Sequence, residues 1–135
     1  NIDEIWQAYF EATEAMAKSG KFDIAGHLDL IKVFKYMPKQ DIRSLAKNAL
    51  QAIKRSDMVL EVNTAGIRKP IGELYPSAAL LEEAYALDIP ITFSSDAHAV
   101  DQIGLGYELA TIVTKKIGYT KAAIFESRDR ELVTF

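Results

Sequence analysis

Asp96 and His98 stand two residues apart in Ser95-Asp96-Ala97-His98. On an extended segment, residues with that spacing project to the same side. A carboxylate oxygen and an imidazole nitrogen could then reach one metal cluster from a single strand end, and zinc, manganese and iron all accept such donors. The same four residues also read as a turn, because Ser-Asp is a common helix N-cap pair. The other of the two histidines, His27, follows an apolar run in Gly26-His27-Leu28-Asp29-Leu30. It is either a metal ligand or a histidine hydrogen-bonded near a strand end. Asp29 would orient His27 by accepting its ring proton, or serve as an exposed cap. Arg68 and Lys69 lie in a loop bracketed by Gly66, Pro70 and Gly72. Arginine suits a bidentate grip on phosphate and lysine acts as a point charge; the alternative is a pair of solvated loop charges. Glu61 and Asn63 are again two apart, and a glutamate buried on a strand must be paired or liganded. Glu73 reads as a surface charge.

Hydrophobic periodicity supplies the elements that must position these groups. Ile5, Trp6, Tyr9, Phe10, Ala12 and Met16 mark one face of a helix over 2–18, stopped by Ser19-Gly20. The aromatic members of that face read as packing residues. A short strand is expected at 22–26, an irregular aromatic stretch up to Pro38, and a second helix at 40–55. Residues 58–63 read as a strand. A third helix follows Pro76-Ser77 to about Leu87, then a strand at 91–94. A fourth helix begins at Ile103 or Tyr107 and runs to Lys116. The tail from Ala122 reads as two strands joined by a polar turn at 127–130. Short apolar strands alternating with helices predict an α/β fold with a parallel sheet. In such a sheet the carboxyl ends of all strands share one side, where functional residues collect. His27, Glu61–Asn63 and Asp96–His98 each follow a strand, so all three clusters are expected on one rim.

Composition narrows the classes. The chain has 135 residues, enough for one domain with a core, and no composition shift marks a linker. Its net charge of −3 shows no basic stripe, which argues against a nucleic-acid partner. It has no cysteine, so a disulfide framework and thiolate metal ligands are both excluded. No apolar run approaches the ~20 residues of a membrane span, and a cytoplasmic location is expected. A first residue of Asn, already in helical register, is read as a cut or incomplete N-terminus. No Walker-type loop, dinucleotide fingerprint or serine nucleophile elbow is present.

Taken together, the clusters resemble the histidinol-phosphatase branch of the PHP (polymerase and histidinol phosphatase) superfamily. The segment from Phe22 through Gly26-His27-Leu28-Asp29-Leu30 to Lys32 is similar to that family's GHLDL-type segment. Leu60-Glu61-Val62-Asn63-Thr64-Ala65-Gly66-Ile67-Arg68-Lys69-Pro70-Ile71-Gly72-Glu73-Leu74-Tyr75-Pro76-Ser77 is similar to its LEINTSG-RKP-GE-YPS segment, the most specific of the three. Ser94-Ser95-Asp96-Ala97-His98 matches its SDAH segment. The resemblance implies the C-terminal half of a distorted (β/α)7 TIM-like barrel, residues 1–135 forming one part of it. It implies a trinuclear divalent-metal site with His27, Asp96 and His98 on different metals, and Arg68 on the substrate phosphate. The implied reaction is hydrolysis of L-histidinol phosphate, a small-molecule phosphate ester, in histidine biosynthesis. The family's His-x-His pair, further histidines and bridging glutamate have no counterpart here, so the chain alone is expected to be incomplete as an enzyme. Two other readings stay open: a PHP phosphoesterase acting on nucleotides or oligonucleotides, and a non-catalytic half-barrel used in binding or assembly. A half-barrel would expose sheet edges and apolar faces, so self-association or pairing with the absent half is expected.

Overall fold

The first helix is capped before it is packed. In the computed structural model, which describes residues 1–135, α1 spans Ile2–Lys18. The Asn1 side chain accepts from the Asp3 and Glu4 amides, and Glu4 reaches back to complete a capping box. Trp6, Phe10 and Ala17 are buried on the face that meets α2, Ile42–Arg55. The Trp6 indole donates its single N–H to the Tyr36 carbonyl at 2.7 Å, so the ring is buried without an unpaired donor. Asp41 caps α2 through the Arg43 amide, and Lys54 and Arg55 sit at its carboxyl end, where the helix dipole favours cations. Ala46, Ala49, Leu50 and Ile53 form its apolar stripe.

Between and beyond these helices run three parallel strands in the order β1-β2-β3: Ile24–Ala25, Val59–Asn63 and Ile91–Ser94. Ala25 lies beside Leu60, and Leu60 beside Ile91, so the three carboxyl ends leave on one side. Only two residues of the expected 22–26 strand, Ile24 and Ala25, pair with β2. α3, Ala78–Ala86, follows the Ser77 cap, and α4 is Tyr107–Ile117. The irregular stretch after β1 holds a 3-10 turn at Leu30–Phe34.

The tail departs from the parallel pattern. β4, Lys121–Glu126, and β5, Asp129–Thr134, form a separate antiparallel hairpin. Its turn is shorter than the expected 127–130, since Asp129 and Arg130 already pair with Glu126 and Phe125. Thr92 on β3 donates its hydroxyl to the Ala123 carbonyl, and Arg128 and Arg130 clamp the hairpin to Asp23 and Asp57.

One apolar cluster of 22 buried residues runs from Trp6 to Ala122, with Leu60, Val62, Leu80 and Ile91 at its centre. Outside it, Val100, Ile103 and Ile112 lie more than half exposed on the β3–α4 connection and α4. No helix is long and apolar enough to cross a membrane.

Candidate active site

The carboxyl ends of the three strands bring the sequence-derived residues to one rim, and one polar atom network joins them. β2 ends in Glu61-Val62-Asn63. Glu61 Oε1 accepts the His27 backbone amide at 2.8 Å and the Asn63 side-chain amide at 3.1 Å. The same Asn63 Nδ2 reaches Asp96 Oδ2 at 3.4 Å, while its Oδ1 accepts the Ala65 amide. Asn63 is thus fully used, 1 % exposed, and it ties the ends of all three strands together. Glu61 is paired, as a carboxylate on a central strand must be.

Asp96 and His98 do share a cavity, but not by strand alternation. β3 stops at Ser94, and Asp96 takes a left-handed backbone with φ 46°. That turn replaces the extended i, i+2 geometry expected from sequence. It folds His98 back, so that His98 Nδ1 lies 2.8 Å from the Asp96 carbonyl. A carbonyl only accepts, so Nδ1 is the donor of this bond and Nε2 is the ring nitrogen left to face a ligand. The His98 amide is held by Gln102 Oε1.

Arg68 enters from the 3-10 turn Thr64–Arg68 that follows β2. Its Nη2 donates to the Ser95 carbonyl at 2.9 Å, with the Asp96 carbonyl at 3.4 Å, which fixes the guanidinium against the Asp96 turn. Its Nη1 is buried with no partner. A cavity of about 450 Å³ is lined by Arg68, Lys69, Tyr75, Asp96, His98 and Gln102 among others. His27 is not on that lining, yet its Nδ1 is also buried and unpartnered.

Asp29 departs from both expectations. It neither orients His27 nor caps the surface: it is 0 % exposed and pairs with Lys32 Nζ at 3.0 Å. Lys32, overlooked in the sequence, is equally buried, and donates to the Leu74 carbonyl at 2.6 Å. Burial pushes the Asp29 carboxyl above its ordinary range, with the Lys32 charge and the Ser77 amide pulling it back. The signal was available as an Asp and a Lys three apart across one 3-10 turn. Glu73 is half exposed, with Lys32 at 3.6 Å. This ion pair fastens the loop that carries Tyr75, whose backbone pairs with Asn63 in both directions. Gly66 lets that loop close, because a Cβ there would strike the Glu73 carbonyl and the Tyr75 ring.

A buried imidazole nitrogen without a partner, a carboxylate and a second imidazole with one ring nitrogen left for a ligand are donors suited in kind to a divalent cation. In number they are not enough, since no three His, Asp or Glu side chains converge within this chain.

The PHP domain model matches residues 1–65. A Deinococcus radiodurans protein named as a probable histidinol-phosphatase is 34 % identical over 118 residues, covering 87 % of this chain and 45 % of that protein. The Bacillus subtilis histidinol-phosphatase is 33 % identical over 117 residues, covering 80 % of this chain and 44 % of its own length. A crystal structure of the Lactococcus lactis histidinol phosphate phosphatase, complexed with zinc, L-histidinol and phosphate, superposes with a TM-score of 0.79 at 24 % identity. That match covers 97 % of this chain and 52 % of the other. The chain therefore spans about half the length of the relatives it matches. The parallel α/β fold, the rim and these relatives converge: the chain is similar to the histidinol-phosphatase branch of the PHP domain family.

Proposed function

We propose that this chain is the C-terminal part of a (β/α)7-type barrel enzyme that hydrolyses L-histidinol phosphate in the cytoplasm with divalent metals. Residues 1–135 form a single unit of it, and sequence outside them supplies the rest of the barrel and the remaining ligands. The observation that carries the reading is the cavity shared by Arg68, Asp96 and His98.

In this reading His27, Asp96 and His98 hold the cations. A bound divalent cation supplies polarisation of the phosphoryl oxygens and activation of water. Arg68 binds the phosphoryl group and stabilises charge on its equatorial oxygens, with one amino group anchored to Ser95 and the other free. Lys69 adds a second positive charge at the cavity wall. Asn63 keeps Asp96 oriented.

The test is phosphate release from histidinol phosphate by the full-length protein, with and without EDTA. Turnover that chelation abolishes supports the proposal, whereas turnover indifferent to chelation, or none at all, refutes it. A preference for nucleotides over histidinol phosphate would move the assignment to another PHP phosphoesterase. Arg68→Ala should chiefly raise KM.

A binding or assembly role is favoured by one observation, the lack of any three converging metal-ligating side chains. Tight stoichiometric metal in the isolated chain would argue against it. The open edge of β1 and the exposed Val100, Ile103 and Ile112 support self-association of the isolated chain, or pairing with the rest of the barrel. A clean monomer on size-exclusion chromatography would remove that part of the proposal.

A further inference from the structure

We propose that the Tyr75 hydroxyl is a second hydrogen-bond donor to the substrate's phosphoryl group, beside Arg68. The inference rests on the phosphoesterase reading and adds a residue to it. Tyr75 is 1 % exposed, yet its hydroxyl has no hydrogen-bond partner. A buried hydroxyl left unpaired is costly, and buried tyrosines ordinarily find a partner. The other buried tyrosine hydroxyl, that of Tyr119, does so at the Ile89 carbonyl, 2.7 Å away. Tyr75 therefore keeps a donor free where the fold elsewhere supplies an acceptor.

Tyr75 lines the same cavity as Arg68, Asp96 and His98. The hydroxyl-bearing end of its ring packs against Gly66, two residues before Arg68 in the same 3-10 turn. Tyr75 Oη and Arg68 Nη1 are the unpartnered buried donors among the residues that line this cavity. A phosphoryl group, with several oxygens on one tetrahedral centre, offers acceptors for two such donors. Burial, Asp29 and Asp96 push the phenol above its ordinary pKa, so it stays a donor.

The ring is also held rigidly. Both backbone bonds to Asn63 fix its position, at 2.7 and 3.0 Å, and the Lys32 ammonium lies 5.3 Å from its centroid. A ring whose backbone is fixed on both sides presents its hydroxyl in advance, which is how a site lowers the ordering cost of binding.

The experiment compares wild type, Tyr75→Phe and Arg68→Ala in the full-length protein, reading KM, kcat and inhibition by inorganic phosphate. Tyr75→Phe should raise KM for histidinol phosphate and the inhibition constant of phosphate by about tenfold, the loss of one hydrogen bond to a charged group. Bound metal should not change. Thermal stability without phosphate should stay level or rise, because an unpaired buried hydroxyl has been removed; a merely structural tyrosine would not lose phosphate affinity while keeping its stability. Wild-type phosphate inhibition in Tyr75→Phe, with Arg68→Ala impaired, would overturn the Tyr75 proposal and leave the phosphoesterase reading standing. No hydrolysis and no phosphate binding by wild type would overturn both.

Discussion

The two ends of the parallel sheet are built to different standards. At the amino ends, polar groups find partners. Arg128 grips Asp23 through two nitrogens, Arg130 bonds both the side chain and the carbonyl of Asp57, and the Ser56 hydroxyl reaches the Ala17 carbonyl. At the carboxyl ends, four buried side-chain atoms have no partner: His27 Nδ1, Asp29 Oδ1, Arg68 Nη1 and Tyr75 Oη. Such atoms are rare in stable folds because each is expensive to bury. Their confinement to one end teaches that the rim was not shaped for stability alone.

Four measurements would break or sharpen this contrast. The largest effect is expected at the rim and in activity. Asp96→Ala or His98→Ala in the full-length protein should cut turnover about a thousandfold, the several kcal/mol that metal-assisted catalysis supplies. Phosphate release checks it, and near-normal rates in either variant would remove that residue from the proposed metal site. Next comes the ion pair beneath the rim. Lys32→Met leaves the Asp29 carboxylate buried and uncompensated, which should cost about 3–5 kcal/mol in urea unfolding of this chain.

Gly66→Ala should be milder, about 1–3 kcal/mol, because the loop must shift away from the Glu73 carbonyl to make room. It should also weaken phosphate inhibition, since the same shift moves Arg68. Unchanged inhibition would show that loop closure and phosphate binding are separable.

The smallest effect belongs to the amino end. The Arg128 guanidinium holds the exposed Asp23 carboxyl below its ordinary value of 3.8. A lowered carboxyl stabilises the fold fully above that ordinary value and loses the contribution as pH falls through the lowered one. Asp23→Asn should therefore cost a little stability near neutrality, a cost that vanishes as pH falls through the lowered value, so the acid limb of an unfolding-versus-pH curve flattens slightly. A large loss at pH 7 would mean that the hairpin clamp matters more than an exposed pair should.

Much of this organisation could be read from residue order. Helical periodicity placed α1 and α2 closely because each has a wide apolar stripe and a capping residue at its start. The three rim clusters were legible because each follows a short apolar run, and a parallel sheet leaves such residues no other side to occupy. The hairpin tail was legible too, though its turn was drawn two residues too long. What could not be read was how side chains from distant segments divide the polar work. Asp29 looked like a partner for His27, its neighbour by two residues, and instead pairs with Lys32 beneath a loop some forty residues later in the chain. Asn63 gave no hint that it would bridge Glu61 to Asp96.

The sequence by itself determined the α/β order of elements and the side of the sheet on which His27, Arg68, Asp96 and His98 lie. These follow from local periodicity and motif spacing, which neighbouring residues fully specify. Only the tertiary structure decided that Asp96 and His98 meet through a left-handed turn, that Lys32 is entombed with Asp29, and that Tyr75 keeps an unpaired hydroxyl at the cavity. Those outcomes depend on which donors meet which acceptors across long stretches of chain. Burial sets that pairing, and burial is a property of the packed molecule.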